Sequence, residues 1–259
     1  MPPPHPELSR IHAFLVDFEL RKAGRTTEAP GGFAVFDEDF PVSHGDNHLV
    51  LPGAFGHPEA LPALADKVLG HLSHRTVYLY DDETGAACVD PMTRAGYAHS
   101  ANLVLLHTGE IPEAARGQQA GPVGLDDLRV PLTESMRGFL PDAGAEVIRQ
   151  LVERRASRHR GAETLHFLGS RTESGEVAAW ADLYIDPVQS VAQIEDLVTA
   201  DPHRRRGHAD AVLSTGLRMA AEAGCRTRFL IADANDWPRQ WYARRGFSVI
   251  GQWHCFERD

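Results

Sequence analysis

Residues Gln193 to Phe247 read QIEDLVTADPHRRRGHADAVLSTGLRMAAEAGCRTRFLIADANDWPRQWYARRGF, and this stretch decides the fold. An alternating strand, QIEDLVT (193–199), runs into a basic glycine turn, ADPHRRRGHA (200–209). A helix follows (210–224), then an apolar strand, RFLIADA (228–234), and a second helix within NDWPRQWYARRGF (235–247). The turn has a physical task. The first turn of a helix has backbone N–H groups without helical partners and a partial positive charge, so it attracts anions. Arg204, Arg205 and Arg206 add full charge beside it, while Gly207 and Ala209 leave the backbone approachable. Phosphate or pyrophosphate suits such a turn. A solvated arginine run at a helix start is the plainer alternative.

The pattern Arg204-x-x-Gly207-x-Ala209 resembles the [QR]-x-x-G-x-[GA] signature of the GCN5-related N-acetyltransferases (GNAT). Asn235, followed by Tyr242-x-x-x-Gly246-Phe247, is similar to that family's second element, and the two occur in family order. The resemblance covers about Leu125 to Asp259. It implies an α/β mixed sheet, splayed near its middle, with helices on both faces. It also implies acetyl-CoA as co-substrate and no metal. By resemblance, the backbone of Leu197, Val198 and Thr199 would meet the thioester or pantetheine. The N–H groups of Arg205 to Ala209, His208 included, would cradle pyrophosphate, with Arg204 also binding the cofactor. Asn235 would contact the pantetheine arm or bound water, and Tyr242 would protonate the CoA sulfur. A packed aromatic on an amphipathic helix is the alternative for Tyr242. Glu195 is the candidate base or amine anchor. It shares strand parity with Gln193, Leu197 and Thr199, whereas Asp196 points the other way. Asp233 and water remain alternatives to Glu195.

The rest of the chain suggests a second lobe. A Pro-rich start and an apolar-spaced helix (8–24) precede strands at 31–37 and 48–51. Helix, strand, helix and strand follow at 57–72, 75–81, 84–97 and 101–107. Ala95-Gly96-Tyr97 before that last strand echoes Arg245-Gly246-Phe247. Residues 1–120 therefore read as a degenerate GNAT-like lobe without the phosphate turn, and 125–259 as the catalytic domain. The segment 110–124, rich in Gly, Pro and Gln, reads as the linker. In the second lobe, LRVPLT (128–133) reads as a strand and 142–160 as a helix. Arg154, Arg155, Arg158 and Arg160 read as its solvated, dipole-matched end. Strands at 164–172 and 176–186 form a hairpin ahead of the central strand.

Composition narrows the classes. A net charge of −10 argues against general nucleic-acid binding. No apolar run is long enough to span a membrane, no signal peptide is evident, and three scattered cysteines suit a reducing cytoplasm. His44, Asp46 and His48 have ligand chemistry, but a polar turn explains them better. No G-x-S-x-G, H-E-x-x-H, Walker or Rossmann pattern occurs. The expected protein is a monomer, or a homodimer through an exposed edge at Trp253 to Phe256. It would acetylate a primary amine of a small molecule or peptide, the acidic balance favouring a cationic one. The competing expectation is a non-catalytic acyl-CoA-binding sensor.

Overall fold

The structure is a computed structural model describing residues 5–114 and 117–259. Residues 115 and 116 of the expected linker lie outside the described residues. Helix α1 (Pro6–Lys22) starts where the His5 side chain accepts the Glu7 N–H, with Pro6 in the first turn. Its buried stripe is Ile11, Phe14, Leu15 and Phe18, at helical spacing. Strands β1 (Arg25–Ala29) and β2 (Gly32–Phe36) form a hairpin, and β3 (His48–Leu51) follows. Then come α2 (Leu61–Leu69), β4 (Arg75–Leu79), α3 (Asp82–Arg94) and β5 (Ala98–His107). The next segment holds β6 (Ala120–Pro122), α4 (Leu125–Phe139), α5 (Ala145–Glu153), a 3-10 turn (Arg154–Ser157) and α6 (Arg158–Gly161). Strands β7 (Thr164–Arg171), β8 (Val177–Asp186) and β9 (Val191–Thr199) lead to α7 (His208–Glu222) and β10 (Thr227–Asp233). Helix α8 (Pro238–Ala243) and β11 (Phe247–Arg258) complete the chain.

These elements form two compact units that cut the chain differently from the expected 1–120 and 125–259. The first comprises residues 1–105, 231–240 and 249–259; the second comprises 106–230 and 241–248. In the first unit the strand order is β1-β2-β3-β4-β11-β5. Five register pairs, from His254↔Leu79 to Arg258↔Arg75, seat β11 antiparallel on β4. Trp253 to Phe256 are buried there, inside the sheet rather than at an edge, which corrects the expected dimerisation edge. The core gathers Phe36, Leu49, Leu51, Leu69, Met92 and Phe256.

In the second unit the order is β10-β9-β8-β7-β6. Strands β6 to β9 pair antiparallel, and β10 lies parallel to β9 after the α7 crossover. Leu128, Leu132, Phe167 and Trp180 form the core under α4. On the other face, Gly216 of α7 sits close to Ile194 and Leu168.

Two sequence expectations change. LRVPLT is helix, part of α4. Leu125, Leu128, Leu132 and Met136 recur at helical spacing, Gly124 caps the start, and Asp126 and Asp127 favour the N-terminal dipole. The expected linker contributes β6, which pairs Ala120–Pro122 with Ser170–Leu168. The glycine echo is a backbone fact. Gly96 (φ 87°) and Gly246 (φ 81°) are both left-handed, and Tyr97 and Phe247 after them are both buried. At Gly246 an added Cβ would also stand 2.9 Å from the Gly109 Cα, so both conformation and space require glycine.

Candidate functional site

Strand β9 pairs with β8 along nearly its whole length. With β10 it pairs only at Val191–Gln193 against Thr227–Phe229. Past Gln193 this edge of β9 has no ladder with β10. The backbone of Leu197, Val198 and Thr199, three of the predicted contact residues, lies on that unladdered stretch of β9 and is half-buried.

The chain then makes a 3-10 turn (Asp201–His203) and enters α7. Arg204 is exposed and pairs with Asp201 at 2.7 Å. Arg205 is left-handed (φ 61°), Arg206 is exposed, and Gly207 is left-handed (φ 87°) as the N-cap of α7. Left-handed residues in such a turn direct backbone N–H groups to one side, the geometry of an anion cradle. Residues His208, Ala209 and Asp210 form the first turn of α7, whose N–H groups lack helical partners. Of His208 only the backbone is offered to a ligand. Its ring is buried, with Nδ1 2.9 Å from Ser170 Oγ. The Ser170 hydroxyl donates to the Gln119 carbonyl at 2.8 Å, so His208 Nδ1 is the N–H donor to Ser170. Burial, then His203 and Arg206, lowers the His208 pKa. A cleft of about 1160 Å³ opens beside the turn, lined by Arg206, His203, His208, Gln119 and Arg171.

Asp210 puts a negative charge in the same first turn, where it would oppose a phosphate. Arg245 neutralises it. Its Nε donates to Asp210 Oδ1 at 2.5 Å and its Nη1 to the Trp241 carbonyl at 3.0 Å, with the guanidinium 3.6 Å above the Trp241 ring. The start of α7 is thereby tied to α8, which carries Tyr242. The Tyr242 ring is 8% exposed and stands edge-on to Trp241 and Phe247. Asn235 is exposed and belongs to the first unit. Its N–H donates to Asp233 Oδ1 at 2.7 Å, so the alternative base Asp233 is engaged in its own turn.

Strand parity across β9 does not hold. The register with β8 advances by one between Glu195↔Asp182 and Val198↔Trp180, with Asp196 left-handed (φ 51°). This is a β-bulge. Val198, not Thr199, therefore shares the face of Gln193 and Glu195. Asp196 turns to the side of Asp182 instead of away from it, and both carboxylates bind Arg155 and Arg158. Those two arginines are buried in an ion-pair cluster, which corrects their expected solvated state. The signal for it is Asp182, the one charge inside the otherwise apolar run VAAWADLYI.

Glu195 is half-buried, with Gln193 Nε2 donating to its Oε2. Burial and the adjacent Asp196 raise its pKa to about 7 against the pull of Arg158. Burial also pushes Asp196 upward, but Arg158, Arg155 and Arg154 overcome it and hold that carboxyl well below its ordinary range. Two neighbouring carboxyls thus have opposite proton affinities, a division suited to acid–base work.

In the first unit the corresponding strands keep their ladder. Strand β3 stays paired with β4 through Leu51↔Leu79, and α2 carries Pro62 in its first turn, where an amide donor would be needed. His44, Asp46 and His48 face separate partners. His44 Nδ1 lies 3.0 Å from Glu257, Ser43 donates to Asp46 at 2.6 Å, and His48 lies 3.5 Å from Glu19. Among the described residues no group of three His, Cys, Asp or Glu side chains is placed to hold a metal. No helix there is long and apolar enough to cross a membrane.

The sequence model of the Acetyltransferase (GNAT) family matches residues 132–247. No curated protein matches the chain. Among solved structures, a GCN5-related N-acetyltransferase from Kribbella flavida is similar over 96% of this chain and 94% of its own, at 17% identity and TM-score 0.63. A conserved protein of unknown function from Staphylococcus epidermidis covers 92% and 94% at 11% identity and TM-score 0.69. A tandem GNAT protein from the clavulanic acid biosynthesis pathway covers 98% and 95% at 13% identity and TM-score 0.55. At these identities the likeness is one of fold, and it extends over both units. Residues 132–247 therefore carry the sequence pattern of the acetyltransferase (GNAT) family, and the chain shares the fold of GNAT proteins.

Proposed function

We propose that the second unit transfers an acetyl group from acetyl-CoA to a primary amine by direct attack in a ternary complex. The observation that carries this reading is the edge of β9 left without a β10 ladder past Gln193, ending in the turn at Arg204–Ala209. A strand edge there leads directly into a helix N-terminus with left-handed residues and three arginines. That order suits an acyl group on a long arm joined to a pyrophosphate. The β9 backbone would take the arm and thioester carbonyl, and the N–H groups from Arg205 to Ala209 would take the pyrophosphate.

The amine nitrogen attacks the acetyl carbonyl carbon. A C–N bond forms, the C–S bond breaks, and the sulfur leaves as thiolate. Glu195, with a proton affinity near neutrality, accepts the amine proton directly or through water. Tyr242 gives its hydroxyl proton to the sulfur; a phenol with an ordinary pKa near 10 is matched to an alkyl thiol. Asp196 stays ionised within its arginine pairs, and the chain's net charge of −10 favours a cationic amine of a small molecule or peptide as acceptor.

A second reading, a non-catalytic acyl-CoA sensor, draws on the packing of Tyr242 against Trp241 and Phe247. Calorimetric titration with acetyl-CoA, followed by an amine screen read by free-thiol release, separates the readings. An enzyme binds acetyl-CoA and releases thiol in the presence of an amine. The Tyr242→Phe variant then retains binding and loses turnover. Binding with no amine-dependent thiol release supports the sensor, and no binding at millimolar acetyl-CoA sinks both.

A further inference from the structure

Asp182 lies in the middle of β8 with no exposed surface, between Ala181 and Leu183. A buried charge persists only when it is paired. Its partners are Arg155 and Arg158, from the short helical turns after α5. Arg155 Nε donates to both Asp182 oxygens, at 2.8 and 3.1 Å, and Arg158 Nη1 donates to Oδ2. Each guanidinium also reaches Asp196. Arg155 Nη2 lies 3.3 Å and Arg158 Nη2 2.7 Å from Asp196 Oδ2. Two guanidiniums and two carboxylates thus close a neutral quartet that joins β8 to β9 through the turns after α5.

The quartet holds the residue that makes the bulge. Asp196 has φ 51°, a left-handed conformation that Asp adopts more readily than most residues with a Cβ and that its surroundings hold here. Here both arginines grip its carboxylate. Glu195 is its chain neighbour and the register partner of Asp182. We propose that Asp182, Arg155 and Arg158 are positioning residues that lock the Asp196 bulge and so fix where the Glu195 carboxyl stands. The proposal deepens, and rests on, the reading of Glu195 as the group that accepts the amine proton.

The groups around Glu195 give the proposal a signed consequence. Arg158 favours its charged form, and Gln193 donates to that form. Asp196 and Asp182 favour the neutral form, and Tyr184 shares the same field across β8. Arg155 and Arg154 act on Asp196. Removing members of opposite charge must therefore move Glu195 in opposite directions.

The test follows the Glu195 carboxyl by ¹³C NMR in full-length protein labelled at the glutamate δ-carbon, the resonance being assigned by its loss in Glu195→Gln. We expect its titration midpoint to rise by about one pH unit in Arg158→Met and to fall by about as much in Asp182→Asn. General loosening of a core has no reason to produce opposite signs. Midpoints that stay put, or that move in the same direction, overturn the proposal. Should the buried variants fail to fold, Asp196→Asn carries the test. It removes the like charge beside Glu195 and the ligand of both arginines, so the midpoint must fall; an unchanged midpoint overturns the proposal. The base assignment is tested separately. If Glu195→Gln keeps the rate and its pH profile while the midpoints shift as stated, the quartet positions the carboxyl but the carboxyl is not the base.

Discussion

Replacing Arg245 by Met leaves a stem of similar length over Trp241 and removes the charge that faces Asp210. The two side chains are 18% and 25% exposed. Exposed ion pairs contribute about 0.2–1 kcal/mol, and breaking a fully buried one costs about 3–5 kcal/mol. An intermediate site gives about 2 kcal/mol, and loss of the cation–π contact adds about 0.5 kcal/mol. Arg245→Met should therefore lose roughly 2.5 kcal/mol in urea unfolding. Much of that loss is the penalty of leaving Asp210 unpaired. In Arg245→Met/Asp210→Asn no carboxylate is stranded, so the double variant should recover about 1.5 kcal/mol of it. Binding should follow the same logic. An unpaired Asp210 at the α7 N-terminus opposes an incoming phosphate by about 1 kcal/mol, roughly fivefold in acetyl-CoA affinity by calorimetry. Asp210→Asn should restore that affinity. A coupling below about 0.5 kcal/mol, or an affinity that the second substitution does not restore, would refute the idea that Arg245 neutralises the cofactor turn.

Three further outcomes are expected. Gly207→Val forces a β-branched residue into a left-handed N-cap, costing about 1–2 kcal/mol, and should weaken acetyl-CoA binding more than it lowers thermal stability; intact affinity would remove the turn from the site. Gly85→Ala places a Cβ 2.2 Å from the His254 ring, so overpacking by about 1–3 kcal/mol should outweigh the gain in helix propensity of about 1 kcal/mol; a raised Tm would contradict that close packing. His48 has no exposed surface, and burial, partly opposed by Glu19, lowers its pKa to about 4. The unfolded chain binds this proton first, so stability is full above the unfolded pKa of about 6.5 and is lost as pH falls towards 4, by roughly 3 kcal/mol. His48→Gln should flatten that part of the stability profile measured by urea unfolding, and an unchanged slope would assign the acid sensitivity elsewhere.

The parts of the fold that were legible are those written in local chemistry. Gly207 and Gly246 are glycines because their backbones are left-handed, and the run from strand through basic turn to helix shows as a change of period from two to 3.6. The α4 helix was hidden by Pro131, whose presence inside LRVPLT masked the stripe Leu125, Leu128, Leu132 and Met136. Strand β1 was missed because RTTEA is mostly exposed and has no apolar alternation. The candidate site was less legible than its turn. Parity counting assumes a regular strand, and the single inserted residue at Asp196 exchanges the faces of Val198 and Thr199. The quartet could not be read from a window, because Arg155 and Asp182 lie 27 positions apart and Arg155 and Asp196 lie 41 apart. A lone Asp in an apolar strand announces that a partner exists, not which one.

Strand β11 has a consequence for the order in which the chain takes shape. Residues 254–258 complete the first unit by pairing with 75–79, although the whole 106–230 stretch of the second unit is made between them. During synthesis at about 5–20 residues per second, β4 emerges from the ribosome with one of its neighbours still untranslated. It stays a bare edge for roughly ten seconds or more, until β11 is released. The unit that begins first is therefore completed only after the second has been made, and a stop codon ahead of Phe247 would take from it the strand that pairs with β4.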